Sequence, residues 1–140
     1  MCGIITIYNT EKNVDTNSLL ELYVDQKTRG SEGFGFSWLT PKGKIKTERF
    51  TEEAEVFHRL ARVKSQLVQF HHRMPTSTDN VAFQNHPICN SKHHGKIYSL
   101  IHNGIIYNDD ELKERHYKEG ISYSTKGKDG KFNDSETLLH

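Results

Sequence analysis

Cys2, immediately after the initiator methionine, is the first residue of the chain with chemistry to offer. Removal of Met1 would leave Cys2 with a free α-amino group, and such an amine has a pKa of about 7.7–8.0. The amine can accept the thiol proton, so that one residue supplies both a nucleophile and its base. Most cysteines at this position have no catalytic role. The apolar run 3–8 favours a catalytic one here, because a buried strand would hold the terminus in place.

A second group with catalytic potential, His102-Asn103-Gly104, follows the apolar run that begins at Ile97. Cleaving an amide requires hydrogen-bond donors directed at the oxyanion of the tetrahedral intermediate. The side-chain NH₂ of Asn103 and the backbone N–H of Gly104 are two such donors, and glycine permits a close approach. Asn-Gly is also a common turn, so the alternative interpretation is a simple bend.

Two charged residues, Arg73 and Asp134, suggest recognition of an amino acid. An arginine side chain can bind an α-carboxylate with two parallel hydrogen bonds, and an aspartate can hold an α-ammonium group. A site with both would select a free amino acid over a peptide. The alternatives are that each is a surface charge, or that Asp134 is the N-cap of a last helix.

Histidines and a cysteine between residues 71 and 94 raise the question of a metal site. His86 and Cys89 form one plausible half of a zinc site by their spacing. The pair His71-His72 is unsuitable, since adjacent residues on a strand point to opposite faces, and His93-His94 belongs to a stretch with the composition of a solvated loop. We therefore expect no metal.

Hydrophobic patterning predicts the elements that would position these groups. Strands are predicted at 3–8, 33–39, 45–50, 67–70 and 97–102, and helices from Ser18 to about Lys27, from Thr51 to about Ser65, over 108–117 and from Asp134. Ser18 and Glu21 form a possible capping box for the first helix. The hairpin 33–50 interrupts any βαβ alternation, so the predicted class is α+β with a mostly antiparallel sheet.

Composition narrows the classes of function. The 140 residues suffice for one domain, and a net charge of +1 favours neither a nucleic acid nor a membrane as partner. No apolar run approaches the roughly 18 residues that span a bilayer, and the N-terminus lacks the pattern of a signal peptide. Two cysteines do not make a disulfide framework. We expect a cytoplasmic protein.

Read together, the motifs resemble those of the class II (N-terminal nucleophile) glutamine amidotransferases, whose branches include amidophosphoribosyltransferase, glucosamine-6-phosphate synthase and asparagine synthetase. The matching segments occur in the family's order and cover nearly the whole chain. They are Met1-Cys2-Gly3-Ile4, Arg29-Gly30-Ser31-Glu32-Gly33-Phe34-Gly35, His72-Arg73-Met74-Pro75-Thr76, Asn85-His86-Pro87, Ile101 to Asn108, and Asp134-Ser135-Glu136.

The resemblance implies a role for each matched site residue. Cys2 would be the nucleophile, Asn103 and Gly104 the oxyanion hole, and Arg73, Thr76 and Asp134 the residues that bind glutamine. The implied reaction hydrolyses the side-chain amide of L-glutamine through a γ-glutamyl thioester. It yields glutamate, and ammonia for an acceptor synthetase domain or subunit, without a cofactor.

The implied fold is the four-layer αββα sandwich of N-terminal nucleophile hydrolases, with mostly antiparallel sheets. Since the family's domain continues beyond its Asp-Ser-Glu segment, we expect residues 1–140 to be the N-terminal portion of that domain, incomplete at the C-terminus. Two alternatives stay open: a hydrolase of another γ-glutamyl amide, and a non-catalytic glutamine-binding module. The segment 77–80 motivates the second, because it lacks the residues that commonly follow the family's threonine.

Overall fold

A computed structural model describes residues 2–74, 80–90 and 96–140. These residues form six strands, three α-helices and two short 3₁₀ helices. Their bounds are β1 Gly3–Tyr8, α1 Thr16–Lys27, β2 Gly33–Leu39, β3 Ile45–Phe50, α2 Val56–Leu60, β4 Leu67–Arg73, β5 Ile88–Cys89, β6 Ser99–Leu100 and α3 Asp109–Lys118, with the 3₁₀ helices at Ala82–Gln84 and Asp134–Leu139.

The larger sheet has four strands in the order β1-β4-β2-β3, and all its neighbours are antiparallel. β4 lies inside the sheet, with β1 on one side and β2 on the other. Gly3 pairs with His72, and Gly33 pairs with Arg73. The start of β1 therefore lies beside the end of β4, which carries Arg73.

One face of this sheet is apolar and packs against α1 and α2. Side chains alternate between the faces of a strand, so Phe34 and Phe36 of β2 lie on the same side as Phe70 of β4. They form the core with two residues of α1, Leu19 and Tyr23, both 1% exposed. The ring of Tyr23 lies 5.7 Å from that of Phe70.

The opposite face is more polar and packs against the second sheet, in which β5 pairs with β6 in antiparallel fashion. The hydroxyl oxygens of Ser37 and Ser99 lie 2.9 Å apart across this interface. Beyond the second sheet, the 3₁₀ helix at 134–139 contacts β5, β6 and α3. The order of layers is therefore helix, sheet, sheet, helix, and the predicted mixed class with antiparallel sheets is confirmed.

The predicted capping box of the first helix is wrong. Asp15 is the N-cap, and its carboxylate accepts the Ser18 N–H at 2.9 Å and the Ser18 hydroxyl at 3.1 Å. Ser18 therefore occupies a position inside the first turn, and Glu21 has no capping role. The helix begins two residues earlier than the pattern indicated.

Two predicted elements are shorter than expected. The helix expected over 51–65 is reduced to α2, because Ser65 bonds to other parts of the protein. Its hydroxyl donates to Leu39 O at the end of β2 at 2.7 Å, and its carbonyl accepts the Val14 N–H before α1 at 2.8 Å. The strand expected over 97–102 is reduced to Ser99–Leu100, because the His102 N–H bonds to a side chain instead of a neighbouring strand.

Within the described ranges, none of the helices has the length and apolar character that crossing a membrane would require.

Candidate active site

Cys2 lies just before β1, and its thiol is held against the residue that follows β4. Met74 N–H donates to Cys2 Sγ at 3.4 Å, and the thiol in turn lies 3.8 Å from Met74 O. Gly3 keeps the chain close to the end of α1, since a Cβ there would stand only 2.9 Å from Gln26 O. The predicted nucleophile is thus half-buried and fixed at the edge of the sheet. Met1 lies outside the described residues.

Asn103 reaches the predicted nucleophile from the far end of the chain. Its side-chain Nδ2 donates to the carbonyl oxygen of Cys2 at 3.2 Å, although 101 positions separate the two residues. Gly104 follows it at the surface, and a Cβ there would lie 2.8 Å from Nε2 of His102. The structure therefore brings together Cys2 and the Asn-Gly pair.

The segment that carries Asn103, residues 102–106, is attached to the protein at three points. His102 N–H donates to His86 Nδ1 at 3.0 Å, and His102 Nδ1 lies 3.0 Å from Ser135 Oγ. Ile106 N–H donates to Asp134 Oδ2 at 2.7 Å. The segment, here called the oxyanion loop after the role predicted for Asn103 and Gly104, is therefore held by side chains on both sides of Asn103.

Arg73, the last residue of β4, is buried with 6% of its surface exposed. Its Nη1 donates to Asn85 Oδ1 at 3.0 Å. Its carbonyl accepts the Glu32 N–H at 3.1 Å, and Gly30 packs so closely that a Cβ would lie 2.6 Å from His72 O. The alternative of a surface charge is wrong for Arg73, because its side chain is buried.

Asp134 is not the N-cap of the last helix. That position belongs to Asn133, whose side chain accepts the Ser135 N–H at 3.0 Å. One oxygen of Asp134 shares the same Ser135 N–H at 2.8 Å, and the other binds Ile106 N–H of the oxyanion loop. Thr76, the remaining predicted glutamine-binding residue, lies outside the described residues.

The charges of Arg73 and Asp134 both act on the pKa of His86, whose ring is buried. Burial lowers the pKa of His86 to about 4; the hydrogen bond with the Asn133 side chain opposes this shift, Arg73 adds to it and Asp134 opposes it. The two predicted recognition groups therefore shift the pKa of one buried imidazole in opposite directions: Arg73 lowers it and Asp134 raises it. Among the groups described, no three His, Cys, Asp or Glu side chains are arranged to hold a metal ion.

An open cleft of about 640 Å³ adjoins the oxyanion loop on the side of α3, and its lining includes Ile105, Ile106 and Asp134. Neither Cys2 nor Arg73 lines it. The cleft therefore shares one predicted residue with the site, and we do not assign it to the substrate.

Adjacent histidines at the end of β4 point into different layers, as the alternation along a strand predicted. His72 packs among the rings of the helix-side core, with Tyr23 at 4.3 Å, and burial lowers its pKa to about 4. His71 faces the second sheet and lies 4.6 Å from the ring of His86. Burial, reinforced by the nearby His86, lowers the pKa of His71 to about 2.

These histidines should make the fold sensitive to acid. Their pKa is below the ordinary 6.5, so the unfolded chain binds protons first, and stability falls as the pH drops from 6.5 toward 4. For each buried histidine that stays neutral, the free energy of unfolding falls by about 1.4 kcal/mol for every pH unit lost in that window. We expect His72→Phe, which replaces the ring within the aromatic core, to reduce the slope by about that amount.

The measurement is the free energy of unfolding at several pH values between 7 and 5. Each value comes from a urea titration, through its midpoint and the slope of the free energy against urea concentration. His58→Phe on the exposed surface of α2 is the matched control, and it should leave the pH dependence unchanged. An equal slope in wild type and His72→Phe would show that His72 does not contribute to acid sensitivity.

Comparison with known proteins identifies the fold. No protein-family model matches the chain. Over its full length it is 27% identical to a glutamine–fructose-6-phosphate aminotransferase (isomerizing) of Francisella tularensis subsp. tularensis, of which it covers 21%. It superposes on the glutamine phosphoribosylpyrophosphate amidotransferase of B. subtilis with a TM-score of 0.71 and 20% identity, covering 98% of this chain and 31% of that one. The chain has the fold of a class II glutamine amidotransferase domain.

A second solved structure, described as the allosteric regulatory enzyme of purine biosynthesis, gives a TM-score of 0.69 at 17% identity and covers 99% of this chain and 32% of that one. The chain thus spans about a fifth of the length of the curated relative and about a third of the length of these structures. The resemblance stated from the motifs is confirmed.

Within this amidotransferase fold, sequence reasoning missed the support of the site. Asn85 and His86 were noted as a motif, and His86 also as part of a possible zinc half-site, but neither was expected to position other site residues. Ser135 was counted as part of the Asp-Ser-Glu segment alone, although its hydroxyl holds the ring of His102. The available signal was the pair Gly33 and Gly35 on β2, whose missing side chains indicate that another segment packs closely against that strand.

Proposed function

We propose that residues 1–140 belong to a glutaminase domain that hydrolyses the side-chain amide of L-glutamine, with Cys2 as nucleophile. The observation that carries the proposal is the hydrogen bond from Asn103 Nδ2 to the carbonyl of Cys2 at 3.2 Å. This contact supports the proposal because it joins a potential oxyanion donor to the residue whose thiol would create the oxyanion. Sequence similarity to an aminotransferase that uses glutamine supports the same conclusion.

The reaction follows from these positions. Once Met1 is removed, the α-amine of Cys2 takes the thiol proton, and Sγ attacks the amide carbon of glutamine. The side-chain NH₂ of Asn103 and the N–H of Gly104 stabilise the resulting oxyanion. The ammonium form of the amine returns a proton to the leaving nitrogen, so that ammonia departs and a γ-glutamyl thioester remains. Water, activated by the same amine, then releases glutamate and restores the thiol.

The charged groups around His86, Arg73 and Asp134, would recognise the substrate. Arg73 would bind the α-carboxylate, and Asp134 the α-ammonium group, so that the substrate is a free amino acid. The Thr76 hydroxyl would add a further hydrogen bond. The buried position of Arg73 supports this role, because the guanidinium is already oriented by Asn85 before a ligand arrives.

Replacement of Arg73 tests the recognition. We expect Arg73→Lys to raise KM for glutamine about 10- to 100-fold with a smaller change in kcat, because a charged hydrogen-bonded contact is worth about 1.5–3 kcal/mol. Steady-state release of glutamate measures both constants. Arg59→Lys on the exposed face of α2 is the matched control, and its constants should equal those of the wild type.

Glutamine with its α-carboxylate converted to an amide provides the complementary substrate. The wild type should discriminate strongly against it, and Arg73→Lys should discriminate much less. A hydrolase of some other γ-glutamyl amide would instead hydrolyse γ-glutamyl amides substituted on the amide nitrogen faster than glutamine itself. An unchanged KM in Arg73→Lys would remove Arg73 from the substrate site.

The ammonia requires an acceptor, and we infer that an acceptor synthetase domain or subunit consumes it. The similarity to an aminotransferase supports this inference. We further propose that the protein acts in the cytoplasm, where thiols such as those of Cys2 and Cys89 stay reduced.

A further inference from the structure

We propose that the dipeptide Asn85-His86 is a positioning element that sets both halves of the active site at once. In this arrangement Asn85 holds Arg73, which binds the substrate, and His86 holds the oxyanion loop. The inference rests on the proposed function for its kinetic consequences, but the two contacts can be tested without catalysis.

The Asn85 side chain is fully buried and uses both ends of its amide group. Its Nδ2 donates to Phe50 O at 2.7 Å, and its Oδ1 accepts from Arg73 Nη1 at 3.0 Å. The bond to the backbone of β3 fixes which end of the amide faces Arg73. Asn85 therefore presents an acceptor to the guanidinium in one defined orientation.

The His86 ring is 4% exposed and supports the other half of the site. Its Nδ1 accepts the His102 N–H at 3.0 Å, one residue before Asn103. Only an unprotonated Nδ1 can accept a hydrogen bond, so the contact requires a neutral ring. The lowered pKa of His86 agrees with that requirement, and the charged or titratable groups around it are His71, Arg73, His102 and Asp134.

Two glycines of β2 make room for the dipeptide. A Cβ at Gly33 would lie 2.5 Å from Asn85 Oδ1, and a Cβ at Gly35 would overlap the carbonyl oxygen of His86. The dipeptide therefore lies directly on β2, next to the strand that ends in Arg73. This close packing fixes the backbone of both residues. Their side chains then extend to different parts of the site: Asn85 to Arg73, and His86 to the oxyanion loop.

The two contacts should affect different kinetic constants. Arg73 binds a part of the substrate that does not change during the reaction, so loosening it raises KM more than it lowers kcat. The oxyanion loop acts on charge that develops only in the transition state, so loosening it lowers kcat more than it raises KM. A residue that merely stabilised the fold would produce neither pattern.

The central experiment compares His86→Asn with His86→Leu. Asparagine Oδ1 occupies a position comparable with histidine Nδ1 and can accept the His102 N–H, whereas leucine fills similar space without an acceptor. We expect His86→Leu to lower kcat about 10- to 100-fold, as small misplacements of catalytic groups do, with KM within about threefold. His86→Asn should recover most of that loss. Asn85→Leu should instead raise KM about tenfold.

Amide hydrogen exchange of the peptide containing residues 99–106 supplies a readout that does not depend on turnover. Protection at the His102 amide should fall in His86→Leu and persist in His86→Asn, with thermal unfolding measured in parallel to exclude global loss of structure. Equal exchange in the two variants, or equal kcat, would overturn the positioning role of His86. If the wild type hydrolyses no glutamine, the proposed function fails, while the exchange result still decides whether His86 holds the loop.

Discussion

Cys2→Ala is expected to release glutamate from glutamine at least about a thousandfold more slowly than the wild type, because loss of a covalent nucleophile leaves only the residual contribution of the oxyanion hole and binding. Alanine is as small as cysteine at this position, so removal of Met1 should be unaffected. The variant should retain the fold, since the contact of the thiol with Met74 lies at the edge of the sheet. Glutamate release under saturating glutamine measures the effect.

Cys89→Ala is the matched control for the thiol. Cys89 lies in β5, and its Sγ is 2.9 Å from Thr47 Oγ1 in the interface between the sheets. Its loss should leave kcat within about twofold, because no group in the proposed reaction contacts it. Persistent activity in Cys2→Ala, or its abolition in Cys89→Ala, would contradict the assignment of the nucleophile.

Asn103→Ala should lower kcat about 10²- to 10³-fold, the range observed when one donor of an oxyanion hole is removed. The effect should appear in kcat rather than in KM, because the donor meets a charge that exists only after Cys2 attacks. In the free protein the same Nδ2 donates to the carbonyl of Cys2, so serving the oxyanion would require it to leave that partner. Steady-state kinetics separates the two constants.

Two further variants make the interpretation of Asn103 specific. Asn103→Asp keeps the shape but replaces the donor by a negatively charged acceptor, and it should be at least as inactive as Asn103→Ala. Asn108→Ala is the matched control: it is an exposed asparagine before α3 that makes no capping hydrogen bond through its side chain. A kcat of Asn103→Ala within about threefold of the wild type would contradict its role as an oxyanion donor.

Much of the fold was predictable because local patterns and tertiary packing agree. The strands β1, β2 and β3 have the bounds that alternation indicated, and α3 lies within about a residue of its prediction. Arg73 and Asp134 were singled out by their charge and by the motifs that contain them, and their role in binding glutamine stays a prediction. Their partners were invisible in the sequence, since hydrogen bonds across 12 or 28 positions leave no local pattern.

The failures occur where side chains replace backbone partners. The segment after Leu100 has the composition of a strand, yet His102 N–H bonds to the His86 ring and the strand stops. The residues after α2 have helical spacing, yet Ser65 bonds to the end of β2 instead. In both cases a tertiary hydrogen bond overrides the local propensity and ends the element early.

The most direct test of the central claim is covalent labelling with 6-diazo-5-oxo-L-norleucine, followed by intact-mass measurement and peptide mapping. We predict a single adduct on Cys2, in a chain that has lost Met1, and protection from labelling by excess glutamine. An adduct on Cys89, or glutamine hydrolysis by a protein that retains Met1 and resists labelling at Cys2, would contradict an N-terminal cysteine nucleophile.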